Sequence, residues 1–282
     1  MGLRVNTNVA SLNAQRNLFG TKSRLDGSLE KLSSGQRINR AGDDAAGLAI
    51  SENLRAQIRG LKQAGRNVQD SISLIQVAEG GLNETSNILI RLRELAVQAA
   101  SDTIGPVERQ FLNVEYDQLV SEIDRIADAT EFNGTNLLNG TGAILDFQVG
   151  IRNDPTVDRL SFDASKADSN SAALGVNLTS VADKASAQNS LAAIDAAIMN
   201  VNAMRADFGA LQSRLQSTNT NLMISHENLS AANSRIRDVD VAEETAELTR
   251  NNVLMQAGTS VLAQANQSTA IALSLLNQTF GG

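Results

Sequence analysis

Few side chains of this 282-residue chain could carry out catalysis or bind a metal. His226 is the only histidine and there is no cysteine, so a histidine metal site, a serine triad or a thiol nucleophile cannot be built from pairs of these residues. Asp43 and Asp44 are adjacent carboxylates, but "GDDAAG" lacks the alternating oxygen ligands and terminal Glu of a calcium loop. The better interpretation of these two is a helix cap. The sequence therefore predicts a protein that is not an enzyme and uses neither a cofactor nor a metal.

The charge of the chain argues against nucleic acid as a partner. The formal net charge is -7, whereas sequence-independent binding to nucleic acid requires a positive surface. Residues 1–40 carry seven basic and two acidic side chains, and residues 240–282 carry one basic and four acidic ones. The two ends have opposite signs, as expected of helices that pair with each other.

The N-terminal residues do not have the pattern of a secretory signal. They lack the continuous apolar core and the small-residue cleavage site of a signal peptide. No window of the sequence has the length and hydropathy of a transmembrane span. We expect no insertion into a membrane and, if the protein leaves the cell, export without cleavage of such a signal.

Apolar residues recur every seven positions through most of the chain. One series occupies residues 54–96, a second occupies residues 194–236, and a third alternates spacings of four and three over residues 112–126. Such series place apolar side chains on one stripe of a helix and favour supercoiling against a partner helix. Gly80 and Gly81 interrupt the first series, and we interpret them as a weak point or bend, not as the end of a helix.

Several residues mark the ends of these helices. Ser33-Ser34-Gly35 can end a first helix, and Asp43 or Asp44 can cap the next one. Pro106 fits the first turn of a third helix. The apolar period changes to two near residues 144–162, which predicts a β-hairpin, and residues 164–184 resemble a small polar linker.

These patterns predict a mainly α fold. We expect a long antiparallel, coiled-coil-like helix bundle, in the form of a rod with a β-hairpin, together with a terminal helix pair. The expected division is residues 1–43 with 240–282 for the terminal pair, and residues 44–239 for the rod.

The C-terminal part of the chain is apolar and uncharged. After Arg250 there is no Lys, Arg, Asp or Glu. A helix without a polar face is normally buried, and other copies of the same chain are the obvious cover. We therefore predict an assembly interface formed by apolar residues of both ends: Val5, Leu12, Phe19, Leu25, Leu32, Leu248, Met255, Val261, Leu262, Leu275 and Leu276.

Several stretches of the sequence closely resemble bacterial flagellin. They are "VNTNVASLNAQRNL", "KLSSGQRINRAGDDAAGLAIS", "RELAVQAA", "EIDRIADATEFNGTNLLNG" and "SRIRDVDVAEETAELTRNNVLMQAGTSVLAQANQ". The resemblance covers both ends and most of the interior, and it implies a short form without outer variable domains. It also implies that the terminal helices line the central channel of a filament and that the rod surrounds them. One departure is that "NQTFGG" extends past "LSLL", which leaves the last contacts at the channel open.

The resemblance implies a function, a location and a set of partners. The chain would polymerise with itself into the extracellular flagellar filament used for swimming, after export through the flagellar type III apparatus. Further partners would be an export chaperone that binds the C-terminal helix, the filament cap and the hook-associated proteins. A Toll-like receptor of animal hosts would contact Arg91, Leu95 and Glu115, for which lateral packing between subunits is the alternative role.

Two other functions remain alternatives at this point. A hook–filament junction protein shares the terminal motifs but not the full "RELAVQ" and "EIDRI" blocks found here. A membrane-active amphipathic protein would show a Lys/Arg-rich polar face beside an apolar one, and the C-terminal tail has no basic residue after Arg250.

Overall fold

The computed structural model describes the backbone of residues 7–280 and the side chains of residues 7–267. Most of the described chain is helical, and the strands are short and antiparallel. The elements in chain order are α1 (Val9–Ser34), α2 (Ala45–Ala99), α3 (Pro106–Ala129), β1 (Glu131–Phe132), β2 (Thr135–Asn136), β3 (Ile144–Gln148), β4 (Arg159–Asp163), a 3-10 turn (Ala164–Lys166), α4 (Lys184–Arg237) and α5 (Val241–Phe280). The predicted mainly α fold with a β-hairpin is confirmed.

The ends of α1 and α3 follow the residue types at these positions. α1 ends at Ser34, and Gly35 adopts a left-handed conformation with φ of 70°. Glycine takes up this conformation without the Cβ clash of other residues. α3 begins at Pro106, where the missing backbone N–H costs no helical hydrogen bond. Both predicted boundaries are confirmed.

The two adjacent carboxylates before α2 have different roles. Asp44 Oδ1 accepts a hydrogen bond from Gly47 N at 2.9 Å, so Asp44 caps the helix. Asp43 Oδ2 accepts from the backbone N–H groups of Asn39 and Arg40 at 3.0 and 2.9 Å. These N–H groups, that of Arg40 first, lower the pKa of the Asp43 carboxyl. The capping interpretation of the pair is confirmed for Asp44, and Asp43 stabilises the preceding turn.

Helix α2 continues through the glycine pair. It spans 55 residues, or about 80 Å, without ending at Gly80 or Gly81. No atom lies within 4 Å of the position that a Cβ on Gly80 would take. A Cβ on Gly81 would lie 2.6 Å from Thr130 Oγ1 and 2.7 Å from Leu138 Cδ1. Gly81 is therefore required for the close approach of the chain that follows α3.

The chain forms two compact units. One comprises the described parts of residues 1–56 and 229–282, and the other comprises residues 57–228. The second unit contains one continuous core, to which α2, α3, α4 and the β3–β4 hairpin all contribute. Fully buried large side chains of this core include Ile75, Leu82, Leu89, Leu92, Leu95, Tyr116, Ile123, Ile194 and Leu215. The domain boundaries expected near residues 43 and 240 remain predictions.

The β3–β4 hairpin covers one part of this core. Leu145 pairs with Phe162, and Phe147 pairs with Leu160. The ring of Phe162 packs edge-to-face on Phe208 of α4, with centroids 5.3 Å apart. A second hairpin, β1–β2, turns at Asn133 and Gly134, which both have positive φ. The sequence indicated only that this region is rich in turns.

The interpretation of residues 164–184 as a polar linker is wrong. Val176 and Val181 of this segment are fully buried in the core. Polar side chains of α3 hold its backbone: Asp124 Oδ1 accepts from Ser171 N at 2.7 Å, and Asn113 Oδ1 accepts from Val181 N at 2.9 Å. The buried apolar residues have no helical or strand period, and for that reason the sequence pattern does not reveal them.

Candidate interaction surfaces

Helices α1 and α5 form an antiparallel pair. At one end, Asn8 Nδ2 donates to Ala265 O at 2.8 Å and Ser11 Oγ donates to Asn266 Oδ1 at 2.9 Å. At the other end, Lys31 Nζ lies 3.5 Å from Glu244 Oε2. The predicted pairing of the two ends of the chain is thus present. Oppositely charged side chains, Lys31 and Glu244, join the two helices at this second end.

The facing side chains follow a coiled-coil spacing. Buried or half-buried positions of both helices are separated alternately by three and four residues. They are Ser11, Ala14, Leu18, Thr21, Leu25, Ser28 and Leu32 on α1, and Glu244, Leu248, Asn251, Met255, Gly258, Leu262 and Ala265 on α5. We call this set the seam.

The large apolar residues of the seam are only half-buried. Its fully or nearly fully buried members are polar: Ser11, Thr21, Ser28 and Asn251. Asn251 Oδ1 is buried without a hydrogen-bond partner, beside a cavity of about 390 Å³ that Gly27 and Ser28 also line. A buried unsatisfied polar atom costs about 1–3 kcal/mol. This atom and the half-burial of the leucines reduce the stability that the pair gains from its own contacts.

The predicted interface residues separate into three groups. Leu25, Leu32, Leu248, Met255 and Leu262 lie in the seam and are half-buried. Leu12, Phe19 and Val261 point away from the seam, with 55%, 76% and 58% of their surface exposed. Val5 and the side chains of Leu275 and Leu276 lie outside the described residues.

The exposed group belongs to wider apolar faces. Val9 and Leu29 on α1, and Val253 and Leu254 on α5, are also largely exposed. Exposed apolar residues concentrated on one element indicate an interaction surface more than scattered ones do. The helix pair therefore presents uncovered apolar side chains on both of its helices.

A compact joint links the segment that follows α1 to the segment that precedes α5. Arg37 N donates to Arg237 O at 2.6 Å, and Val239 N donates to Gly35 O at 3.1 Å. Arg37 Nη2 also donates to Ile236 O at 2.7 Å. We call residues 35–37 and 236–239 the connector joint. Of this joint, only the turn at Gly35 could be predicted from the sequence.

Arg237 is the central side chain of the connector joint. Its Nε donates to Gln36 Oε1 at 2.9 Å, and its Nη1 donates to Glu52 and, at 3.4 Å, to Ser51 Oγ. The bond from Arg237 lowers the pKa of the Glu52 carboxyl. One guanidinium thus connects the joint to the first turns of α2.

The three predicted receptor residues differ in accessibility. Arg91 Nη2 donates to Glu115 Oε1 at 2.7 Å, and both side chains are exposed. This hydrogen bond, followed by one to Glu94, raises the pKa of the Arg91 guanidinium. Leu95 is fully buried in the core, so it positions α2 and offers no surface to a partner.

Sequence reasoning missed a further apolar face on α3. Val107, Phe111 and Val114 are each more than 60% exposed and are separated by four and three residues. They lie on the side of the helix opposite the buried Tyr116. The spacing could have revealed them, but the stronger series at residues 112–126 obscured it.

His226 does not belong to a metal site within the described part of the chain. It lies in a groove between α2 and α4 with Lys62, Arg66 and Glu227. Among the described residues, no group of three or more His, Asp or Glu side chains could hold an ion. A search of the same residues finds no helix long and apolar enough to cross a membrane.

Comparison with protein families gives two matches. Residues 5–143 match the bacterial flagellin N-terminal helical region, and residues 191–276 match the bacterial flagellin C-terminal helical region.

Relatives cover nearly the whole chain. A flagellin of Halalkalibacterium halodurans is 48% identical over 96% of this chain and 99% of the relative. The flagellar filament 33 kDa core protein of Treponema phagedenis is 45% identical, again over 96% and 99%. A flagellin of Bacillus subtilis is 45% identical over 97% of this chain and all of that protein.

Two solved structures share parts of the fold. The crystal structure of Bacillus cereus flagellin is 35% identical, with a TM-score of 0.50 over 56% of this chain and 88% of that one. A putative flagellar hook-associated protein from Vibrio parahaemolyticus has a TM-score of 0.57 over 70% of this chain and all of that one. It is 15% identical, which indicates a shared fold alone.

Proposed function

The chain belongs to the bacterial flagellin family, and we propose that the exposed apolar faces of α1 and α5 are the surfaces through which its copies polymerise. The protein is a structural subunit of the bacterial flagellar filament, which is extracellular. A hook-associated role is less supported, because the similarity to a protein of that name is in fold alone.

One observation carries the proposal about the surface. Leu12, Phe19 and Val261 are large apolar residues on a helix pair whose seam they do not enter. Burying each such side chain contributes about 1.5–3 kcal/mol. Contact with neighbouring copies supplies this burial without any change to the seam.

Replacement of Phe19 by serine tests this surface. Phe19→Ser removes an exposed side chain, so the fold of residues 57–228 stays intact while polymerisation weakens. We expect the concentration of subunit left in the supernatant after sedimentation to rise about tenfold or more. The matched control is Leu178→Ser, because Leu178 is 91% exposed and lies outside the helix pair. Equal supernatant concentrations for the two variants would contradict the proposal.

The remaining partners are proposals that rest on family membership. An export chaperone binds the C-terminal helix and covers its apolar face before assembly. Export follows the flagellar type III route without a cleaved signal, and growth takes place beneath the filament cap on hook-associated proteins.

A receptor contact is a separate proposal. Arg91 and Glu115 support it because they form one exposed, charged patch on neighbouring helices, and Arg91 also reaches Glu94. An animal Toll-like receptor binds this patch on the free subunit. Leu95 contributes from the core by holding α2 in place.

A further inference from the structure

The seam of the terminal pair repeats itself every seven residues. On α1, leucines at positions 18, 25 and 32 alternate with small residues, Ala14, Thr21 and Ser28. On α5, large residues at positions 248, 255 and 262 alternate with Glu244, Asn251, Gly258 and Ala265. The large residues of each helix therefore recur at the same place after one heptad, whereas the residues between them on α5 differ in charge and size.

Two contacts define the observed register of the pair. A Cβ added to Gly258 would lie 3.3 Å from Leu18 Cδ1, so this leucine packs against the glycine. Lys31, which lies thirteen residues after Leu18 on α1, pairs with Glu244 of α5. Extending this antiparallel register places Leu25 near the level of Asn251.

A slip of one heptad preserves much of this pattern. If each residue of α1 took the place of the residue seven positions later, Arg24 would replace Lys31 beside Glu244. Gly20 and Thr21 would replace Gly27 and Ser28 next to Asn251, and Leu18 would replace Leu25. Within the pair, the slip breaks only the bonds of Asn8 to Ala265 O and of Ser11 to Asn266 Oδ1 among those described for its side chains, so the seam discriminates between the two registers mainly at that one end.

The connector joint does discriminate between them. A slip of seven residues moves α1 by about 10 Å along its axis. That movement breaks the bonds of Arg37 N to Arg237 O and of Val239 N to Gly35 O. It also separates the Arg37 and Arg237 guanidinium groups from Ile236 O and Gln36 Oε1. Hydrogen bonds of charged groups are among the stronger ones, so their loss opposes the slip.

We propose that the connector joint, through Arg37 and Arg237, sets the register of the α1–α5 pair. The repeating seam supplies attraction, and the joint selects one of its near-equivalent alignments. The inference rests on the proposed function, because register matters to a polymer whose contacts are made by this pair.

Cysteine cross-linking reports the register directly. The natural chain has no cysteine, so each introduced pair is read without background. Leu18→Cys with Gly258→Cys reports the observed register, and Ser11→Cys with Gly258→Cys reports the slip described above. Leu25→Cys with Gly258→Cys reports a slip in the opposite direction. Each pair is oxidised in sedimented filaments and in soluble protein, and bonds within one chain are separated from bonds between chains on a non-reducing gel.

The joint is then weakened by Arg37→Ala with Arg237→Leu. Arg235→Leu is the matched control, because Arg235 is an exposed arginine in the same last turn of α4. In the parent chain and the control we expect the observed-register pair to cross-link well above the slipped pairs. In the double variant we expect the ratio of slipped to observed cross-links to rise about tenfold, which corresponds to about 1.4 kcal/mol.

Two outcomes would overturn the proposal. An unchanged ratio in the double variant would show that Arg37 and Arg237 do not set the register. Loss of the observed cross-link without gain of a slipped one would show that the joint is needed for pairing itself. Sedimentation of the parent chain is scored separately, so failure to polymerise would count against the assembly surface and not against the register.

Discussion

At the scale of single residues, burial decides what each side chain can contact. Arg91 and Glu115 are exposed and bonded to each other, whereas Leu95, in the same helix as Arg91, is fully buried. A sequence match alone treats the three as equivalent. In the proposed receptor contact, the two exposed charged residues could touch the partner directly, whereas the buried leucine could act only by positioning α2.

The first prediction separates these two effects. Arg91→Ala removes an exposed side chain, so we expect thermal stability near that of the parent and receptor potency of monomers reduced about tenfold. Leu95→Ala opens a core cavity, so we expect it to lower the free energy of unfolding by about 2–5 kcal/mol. A reporter-cell assay and thermal unfolding monitored by circular dichroism measure the two effects.

Arg93→Ala is the control for the charged residue. Arg93 is similarly exposed and bonds to Asp195 at 2.7 Å, but it lies on another face of α2. Equal potency of the Arg91 and Arg93 variants would remove the case for a specific contact at Arg91.

At the scale of elements, the long helices combine strong patterns with local exceptions. Gly80 and Gly81 are adjacent in α2 and identical in type, yet only Gly81 faces atoms of another segment. Their different surroundings give them opposite expected responses to the same substitution.

The second prediction uses this contrast. Gly80→Ala reduces the freedom of the unfolded chain in open space, so we expect it to raise the free energy of unfolding by about 0.4–1 kcal/mol. Gly81→Ala forces a Cβ against Thr130 and Leu138, so we expect a decrease of about 1–3 kcal/mol. Chemical denaturation of the two variants compares them. A stabilising Gly81→Ala would show that the chain after α3 does not approach α2 as described.

Sequence patterns predicted those elements whose apolar spacing is regular. The series at residues 54–96 and 194–236 predicted most of α2 and α4, and the alternation at residues 145–149 predicted β3. Residues 164–183 escaped prediction because Asp124 and Asn113 hold them, and bonds between side chain and backbone leave no periodic signal.

The assembly surface could be predicted only in part. The heptad series identified Leu12 and Leu25 as apolar positions of α1. Leu12 lies on the exposed face and Leu25 lies in the seam, but the residues of both recur every seven positions. Which of these two faces meets α5 is decided by contacts between the helices, and the connector joint arises from backbone bonds between distant residues. Neither feature can be read from spacing along one helix.

At the scale of the whole molecule, carboxylates stabilise the folded chain through bonds to cationic and backbone groups. Arg237 lowers the pKa of Glu52, and Lys184 lowers the pKa of Asp102. The pKa of Asp183 is lowered by the Ser186 N–H at the start of α4. A carboxyl whose pKa is lower in the folded chain than in the unfolded chain stabilises the fold when the pH is above the unfolded pKa. This stabilisation is lost as the pH falls through the folded pKa.

The third prediction follows from this direction. We expect the thermal midpoint to change little between pH 7 and about 5, and to fall as the pH drops below about 4, the unfolded range of Asp and Glu. Glu52→Gln removes the carboxyl that accepts a hydrogen bond from Arg237, so the thermal midpoint of this variant should fall less than that of the parent over the acid range. A midpoint that rises on acidification below pH 4 would contradict the stated direction.

The central claim is that the terminal helix pair drives polymerisation, and removal of residues 258–282 tests it most directly. This deletion removes part of α5 and leaves residues 57–228, with their continuous core, unchanged. Sedimentation and electron microscopy measure filament formation, and circular dichroism measures the fold that remains. We predict a cooperatively folded chain that stays in the supernatant at concentrations where the full chain forms filaments. Normal filaments from the shortened chain would contradict the claim.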